Sequence, residues 1–412
     1  MRQRRVRSGQ AGNVEGECLG SVGAHLDAIT DHMSLQGYQL FTIRQYLGAM
    51  VHFGRWLDRA RVALSDLDEG TISKFATHLR RCRCKSEYRG ARCGHSTEVL
   101  PAIHRLLEYL RHVGLVGPRV EPKIPEVILA FEEWMREHRG TADRTLADYR
   151  HYVGRLVESG VSLRQLDATQ LRDHVLRAAQ PRRAQTKVMV RALRMFVRFL
   201  VATGRSPAHL DGAIPSVAYW RLATLPQHVA ASDVKRLIAS CARSAVGRRD
   251  RAVILLLARL GLRRGDLAAL QLDDLDWSHG RVRVKGKTSR SVWLPLPQEV
   301  GDAILAYLRR GRPPSTSSHV FLRACAPYRA LSTSGFGNTI ERAVRRTGIS
   351  TPTKGTHMFR HTVATEMLHR GASLDEIGLL LRHTLRETTL QYAKVDVRLL
   401  RSIALPWPGS AP

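Results

Sequence analysis

Acidic side chains are scarce in this chain of 412 residues, which has 36 Asp and Glu against 65 Lys and Arg and a formal net charge of +29. An excess of this size predicts a polyanionic partner, because each phosphate that a basic side chain neutralises releases counterions. Long apolar runs are also lacking. None approaches the roughly 18 residues that a membrane-spanning helix needs, so we expect no membrane partner.

Cysteine is sparse as well. Six cysteines in a chain of this length do not form a disulfide scaffold. The first residues, "MRQRRVRSGQAGNVEGE", are basic but lack the apolar segment of a signal peptide. We therefore expect a reducing cytoplasm, with the protein associated with a bacterial nucleoid, and a disordered basic tail over residues 1–19.

Four candidate metal ligands lie close together in the sequence "CRCKSEYRGARCGH", residues 82–95. Two thiols at one end of a short basic loop and a Cys-x-His pair at the other match the ligand types of a tetrahedral zinc site. The predicted structural zinc ligands are Cys82, Cys84, Cys93 and His95. The Cys-x-Cys spacing is less usual than Cys-x-x-Cys, so a loop without metal remains the alternative.

The first half of the chain contains an internal repeat. Residues 42–68 and 145–167 share Thr-x-x-x-Tyr, an apolar stripe at helical spacing and then Val-x-Leu-x-x-Leu-Asp. Each copy is followed by further amphipathic segments in the same order. We expect two all-helical units, at 20–118 and 125–210, joined by a proline-rich linker, with duplication favoured over two unrelated bundles.

The second half, residues 225–412, is predicted to form one further domain. Helical periodicity dominates it, but "GRVRVKGKTSRSVWLPL" (280–296) alternates apolar and basic residues around a Gly-Lys turn. The predicted fold class is therefore mainly α with a small antiparallel β-sheet, the sheet belonging to an α+β domain.

The segment "HMFRHTVATEMLHRG" (357–371) reads as a helix that begins with two histidines one turn apart. The pair suggests a metal site, a solvated basic face or a clamp for a phosphate. Further candidates in this half are an arginine within this segment and, elsewhere, a second arginine, a lysine, a histidine and a tyrosine. Such a set lacks the carboxylates or thiolates of a metal site and suits one phosphodiester better.

Four motifs in this half resemble those of the tyrosine recombinase (phage integrase) family, in the order and at the spacings of that family. They are "GLRRGDLAAL", "GKTSR…LPL", "HMFRHTVATEML" and "LLLRHTLRETTLQYAKV". The resemblance covers about residues 225–400 and implies an integrase-type catalytic domain. The two N-terminal helical units resemble the SAM-like core-binding domains of the same family.

The resemblance implies DNA strand cleavage and rejoining at specific sites through a 3′-phosphotyrosine intermediate, in the integration, excision or transposition of a mobile element. It implies double-stranded DNA as partner and a homo-tetramer on paired sites, alone or with related recombinases. No cofactor is implied for catalysis. The implied roles are the nucleophile Tyr392, the phosphate clamp Arg263 and Arg360, the general acid Lys287, and His357 and His383 for proton transfer and the transition state.

Some residues depart from the motifs or stay ambiguous. Arg382 stands where the family usually has glycine before the histidine, and so either tightens DNA contact or distorts the turn. We expect His361 to pack into the fold. Asp266 fits an acidic position that orients an arginine or histidine, although it could serve only as a helix N-terminal charge.

Two other functions share these residues. A type IB topoisomerase would use the same chemistry to relax DNA without strand exchange. A catalytically silent relative would bind DNA as an accessory factor.

Overall fold

In the computed structural model, the described residues are 20–82, 99–119, 123–178, 183–206, 210, 212–215, 228–285, 291–351, 355–383, 385 and 387–395. The chain divides into two compact units, one formed by residues 1–118 with 224–412 and the other by residues 119–223. Among the helices of the described part, none is both long and apolar enough to cross a membrane.

The N-terminal part of the first unit is helical. Its helices are α1 (Leu26–Leu35), α2 (Leu40–Ala60), α3 (Glu69–Leu79) and α4 (Val99–His112), with a 3-10 turn at Leu64–Asp66. Helix α2 places Ile43, Met50, Phe53 and Leu57 on one buried face at the spacing of a helical stripe. These side chains pack with those of α3 and α4 into one hydrophobic core.

The second unit has the same order of elements. It contains α5 (Glu126–Arg139), α6 (Asp143–Val157), a 3-10 turn at Leu163–Gln165, α7 (Ala168–Ala178) and α8 (Arg183–Ala202). Its core contains a buried carboxylate, Glu132, which accepts two hydrogen bonds from the guanidinium of Arg150 at 2.6 and 2.7 Å. The two parts of the chain that share the sequence repeat therefore also share the order of their helices and 3-10 turn.

Residues 228–395 of the first unit contain the remaining elements. The helices are α9 (Ala231–Ala239), α10 (Ala245–Leu260), α11 (Arg264–Ala269), α12 (Gln298–Arg310), α13 (Thr333–Thr347), α14 (His357–His369), α15 (Leu374–Leu381) and α16 (Glu387–Leu390). The strands are β1 (Leu275–Asp276), β2 (Arg281–Lys285) and β3 (Ser291–Pro295).

The three strands form an antiparallel sheet in the order β1-β2-β3, with Val284 opposite Val292. Side chains alternate along β2, so Val282 and Val284 are buried while Arg283 lies on the other face. There the Arg281 and Arg283 guanidinium groups lie over the Trp293 ring. The predicted fold class, mainly α with a small antiparallel sheet, is confirmed.

Candidate active site

The candidate site forms where α10 and α15 end against α14. Helix α10 ends at Gly261, whose φ of +55° is left-handed. A Cβ atom at this glycine would lie 2.7 Å from a methyl carbon of Leu381 in α15, so only glycine fits without displacing its neighbour. The close approach brings the C-terminal ends of both helices beside the same face of α14.

Arg360, on the first turn of α14, occupies this junction and is buried. Its Nη1 donates a hydrogen bond to the carbonyl oxygen of Gly261 at 2.8 Å, and its Nη2 donates one to the carbonyl oxygen of Leu381. Both oxygens lie at helix C-termini, where carbonyls lack helical partners and attract cations. Burial, followed by the charge of Arg263, lowers the pKa of Arg360 to about 10, so the guanidinium remains charged at neutral pH.

Arg263 lies in the link between α10 and α11, in an extended conformation. Its backbone N–H donates to the Asp266 carboxylate at 2.8 Å, and its Nη2 donates to the carbonyl oxygen of Arg382 at 3.3 Å. The neighbouring Arg264 is exposed at the start of α11. Arg263 is therefore the arginine that faces the junction, and Asp266 fixes its backbone.

Tyr392 lies just after α16 and is only 1% exposed, packed against apolar side chains of α14 and α15. Burial raises the pKa of its hydroxyl to about 12, although the Arg360 charge acts in the opposite direction. The hydroxyl is therefore protonated at neutral pH. It can react as a nucleophile only if a base accepts its proton.

His361 contacts this hydroxyl directly, with Nδ1 3.0 Å from the Tyr392 oxygen. Burial, then the neighbouring His357 and Arg360, lower the pKa of His361, so the ring is neutral at pH 7 and can accept a proton. His361, which is expected from the sequence to pack into the fold, has a half-buried ring that also contacts the hydroxyl of Tyr392. Helical phase allowed this placement, because adjacent helical positions differ by only about 100° and both Arg360 and His361 can face one pocket.

His357 begins α14 and its side chain is exposed. The protein around the ring displaces part of its water, and this together with the charge of Arg360 lowers the pKa of His357. Among the described residues, no hydrogen bond joins His357 to Tyr392. His357 therefore lies at the open side of the pocket, while His361 lies at the nucleophile.

His383 follows α15, and its ring faces that of Tyr392. The two rings are nearly parallel, at an interplanar angle of 5° with centroids 6.5 Å apart. Its Nδ1 is 2.7 Å from the hydroxyl oxygen of Thr389, which sets the orientation of the ring. Burial, then the nearby Arg360 and Arg263 charges, lower the pKa of His383 to about 4, so this ring is also neutral.

Arg382 has the left-handed conformation for which glycine is best suited, with φ of +52°. The turn before His383 is retained despite the larger residue. The side chain is buried, and Nη2 forms an ion pair with Asp266, while Nε and Nη1 have no partner among the described residues. Arg382 therefore holds two other residues of the site in place. Its side chain binds the Asp266 carboxylate, and its carbonyl oxygen accepts a hydrogen bond from Arg263.

The structure brings four of the six predicted catalytic residues together, namely Arg263, Arg360, His383 and Tyr392, with His357 at the edge. Lys287 lies outside the described residues, between β2 and β3. Of the predicted zinc ligands, Cys84, Cys93 and His95 also lie outside them, and Cys82 is remote in sequence from this pocket. The pocket offers cationic donors and neutral imidazoles, and its carboxylate, Asp266, is already paired with Arg382, so it suits an anion better than a metal ion.

Comparison with known proteins points in the same direction. Residues 227–398 match the model of the Phage integrase family. A protein of Sinorhizobium fredii named "Putative integrase/recombinase y4rA" is 36% identical over 406 residues, covering 95% of this chain and 96% of its own length. The tyrosine recombinase XerA of Thermococcus kodakarensis is 30% identical over 280 residues, covering 67% of this chain and 93% of its own.

Among solved structures, the Tn1549 transposon integrase in complex with transposon right end DNA has a TM-score of 0.52 at 15% sequence identity. The match covers 68% of this chain and 99% of that one. At this identity the match concerns the fold alone. The two sequence relatives show that the chain belongs to the tyrosine recombinase (phage integrase) family.

Proposed function

We propose that this protein cleaves and rejoins DNA strands at specific sites through a 3′-phosphotyrosine intermediate. The observation that carries the proposal is the convergence of two charged guanidinium groups and a histidine-bonded tyrosine hydroxyl on one pocket. Family membership supports the same chemistry.

In the proposed reaction, the Tyr392 oxygen attacks the phosphorus of a phosphodiester and the bond to the 5′ oxygen breaks. The tyrosine proton passes to a neutral imidazole, for which His361 is placed at 3.0 Å. Arg263 and Arg360 stabilise the negative charge that builds up on the non-bridging oxygens, because planar guanidinium groups match two oxygens at once. The departing 5′ oxygen needs a proton, and we assign that role to Lys287.

Rejoining is the reverse reaction. A 5′ hydroxyl attacks the phosphotyrosine and releases the tyrosine, so the energy of the broken bond is kept in the ester and neither ATP nor a cofactor is needed. His357 and His383 act in proton transfer and in stabilising the transition state.

Tyr392 must leave its present position for this reaction. Its side chain is 1% exposed, so the phosphate of a duplex cannot reach the hydroxyl where it now lies. We infer that DNA binding shifts the segment containing α16 and Tyr392 far enough to expose the hydroxyl to the phosphate, while the hydroxyl stays within hydrogen-bond reach of His361. The pKa of about 12 then falls towards its ordinary value as the hydroxyl meets water and the arginines.

The proposed partner is double-stranded DNA, in keeping with the formal net charge of +29. We further propose that two DNA sites are held by a homo-tetramer, alone or with related recombinases, and that the biological role is integration, excision or transposition of a mobile element. The name of the Sinorhizobium fredii relative, putative integrase/recombinase, supports the proposed biological role.

The test begins with genomic DNA fragments that cross-link to the protein, from which the bound site is sequenced. Nicked duplexes of that site trap a covalent complex, because the short fragment released by cleavage diffuses away. We expect a complex with the wild type and none with Tyr392→Phe, whereas Tyr328→Phe, a tyrosine outside the site, should react normally.

Two outcomes would contradict the proposal. Absence of a complex with every recovered site would favour a silent DNA-binding relative. Relaxation of a supercoiled plasmid that lacks the recovered site, without joining of two sites, would favour a topoisomerase.

A further inference from the structure

A second cluster of reactive side chains lies in the N-terminal helical part, away from the recombinase motifs. It consists of His52 on α2, His78 on α3 and Cys82 just after α3, and we refer to it as the His-His-Cys cluster. One ligand atom from each of the three residues lies within 4.8 Å of the other two. The sulfur of Cys82 is 3.4 Å from Nε2 of His52.

The two imidazoles are poorly satisfied by their surroundings. His52 is 6% exposed, and its Nδ1 has no hydrogen-bond partner among the described residues. The Nε2 of His78 is likewise buried without a partner there. A buried ring nitrogen without a partner carries a desolvation cost, so an ion bound at Nε2 of His78 would remove a penalty that the helical core otherwise bears.

We propose that the His-His-Cys cluster binds a zinc ion. A thiolate and two imidazoles are ligands that zinc prefers, at about 2.3 Å to sulfur and about 2.0–2.1 Å to nitrogen. In a tetrahedron these lengths separate sulfur from nitrogen by about 3.5 Å. The observed 3.4 Å between Cys82 and His52 matches one edge of that tetrahedron.

The cluster lies at the edge of the helical core, since His52 is buried whereas His78 and Cys82 are half-buried. The ring of Phe75 lies 5.3 Å from that of His52 and 5.8 Å from that of His78, between centroids, so aromatic groups shield the cluster.

This site differs from the zinc site predicted from the sequence, with which it shares only Cys82. The new ligands come from two helices of the packed core instead of from the loop that follows. The ion would join the middle of α2 to the end of α3, and binding free energy would add to the stability of this helical part. A fourth ligand could be water.

Metal content of the purified full-length protein tests the proposal. We expect close to one zinc per chain in the wild type and a large loss in Cys82→Ser and in His52→Gln. Matched controls are Cys325→Ser, an exposed cysteine, and His104→Gln, an exposed histidine of α4, which should both retain the ion.

Cobalt provides a readout that does not depend on how well a variant folds. Wild-type protein stripped of zinc and given Co²⁺ alone should show thiolate-to-cobalt charge transfer and the intense visible bands of tetrahedral cobalt. A chelator should lower the thermal midpoint of the wild type but leave that of Cys82→Ser unchanged.

Two results would overturn the proposal. The first is wild-type protein that holds no stoichiometric zinc and gives no cobalt bands, in which case the contact is a thiol–imidazole hydrogen bond. The second is loss of zinc in Cys84→Ser, Cys93→Ser and His95→Ala with full retention in His52→Gln and His78→Gln, which would restore the sequence-based ligand set. Neither result depends on recombinase activity.

Discussion

Single residues decide the chemistry of the pocket, and His361 is the least expected of them. The sequence motif favours His357 as the base, yet the structure places His361 against the Tyr392 hydroxyl and His357 at the exposed edge. The four-residue spacing on α14 shows that His357 and His361 can lie on the same face of the helix. It does not show which ring meets a tyrosine 31 residues further along the chain.

We therefore predict that His361→Gln slows covalent complex formation by about 10²-fold or more, the usual contribution of a general base. His369→Gln, an exposed histidine at the end of the same helix, should have no effect. Single-turnover cleavage of a nicked site measures both. Equal rates for His361→Gln and the wild type, with His357→Gln inactive, would return the base role to His357.

The pH dependence of cleavage follows from the same ring. Burial lowers the pKa of His361 below the ordinary 6.5, so the neutral, proton-accepting form persists as the pH falls through 6.5. We expect the single-turnover rate to be maintained at pH 6.5 and to decline only below it. A rate that is already halved at or above pH 6.5 would contradict this placement of the base.

The contribution of Arg382 to stability can be compared with that of Arg61, which also has a left-handed backbone conformation. Arg382→Gly removes a strain of about 1 kcal/mol but leaves the buried Asp266 unpaired, which costs about 3–5 kcal/mol. We predict a net loss of stability in urea unfolding. Arg61→Gly is the control, because Arg61 also has a left-handed φ (+54°) at the end of α2 but is exposed, and this change should be neutral or stabilising.

At the scale of elements, the site depends on how three helices end and begin. Local signals in the sequence account for several of these points. Helix α14 begins at His357, and α15 begins after Ser373, whose hydroxyl accepts from the Glu376 N–H while the Glu376 carboxylate accepts from the Ser373 N–H. Gly261 ends α10 in the left-handed conformation.

Other local signals were misleading. Ser232 is a good cap by residue type, but α9 already begins at Ala231. Thr388 and Thr389 are also cap-forming residue types, yet α16 begins at Glu387, and the Thr389 hydroxyl contacts Nδ1 of His383. Residue type states a preference for a cap, whereas packing against α14 and α15 sets where the chain turns, and that information is not local.

Arg360 links these helices, so replacing it should lower the free energy of unfolding. A lysine ammonium has three donors on a single nitrogen, but it lacks the planar fork whose Nη1 and Nη2 each meet one carbonyl, so it cannot keep both hydrogen bonds in the same geometry. We predict that Arg360→Lys loses about 1.5–3 kcal/mol of unfolding free energy, the range for a hydrogen bond from a charged group. Arg370→Lys, exposed at the end of the same helix, is the control, and equal urea midpoints for the two variants would contradict the linking role.

At the scale of the whole molecule, the composition indicated the class of partner before any motif was considered. Fold class and the family were predicted from pattern and from four ordered motifs. The His-His-Cys cluster was not, because His52 and Cys82 are 30 residues apart and only the packing of α2 against α3 brings them together.

The charge predicts steep salt dependence of DNA binding. If six or more phosphates are contacted, affinity for a random-sequence duplex should fall roughly 10³-fold or more between about 50 and 200 mM salt. Fluorescence anisotropy over that range gives the slope. A nearly flat plot would show that the basic excess does not serve DNA binding.

The most direct test of the central claim is mass spectrometry of the trapped covalent complex after digestion with nuclease and protease. We predict a nucleotide joined through its 3′-phosphate to the peptide containing Tyr392, and a free 5′ hydroxyl on the released DNA. A nucleotide on any other residue, a 5′-phosphate linkage, or no modified peptide from a complex that forms would contradict the assignment of Tyr392 as the nucleophile.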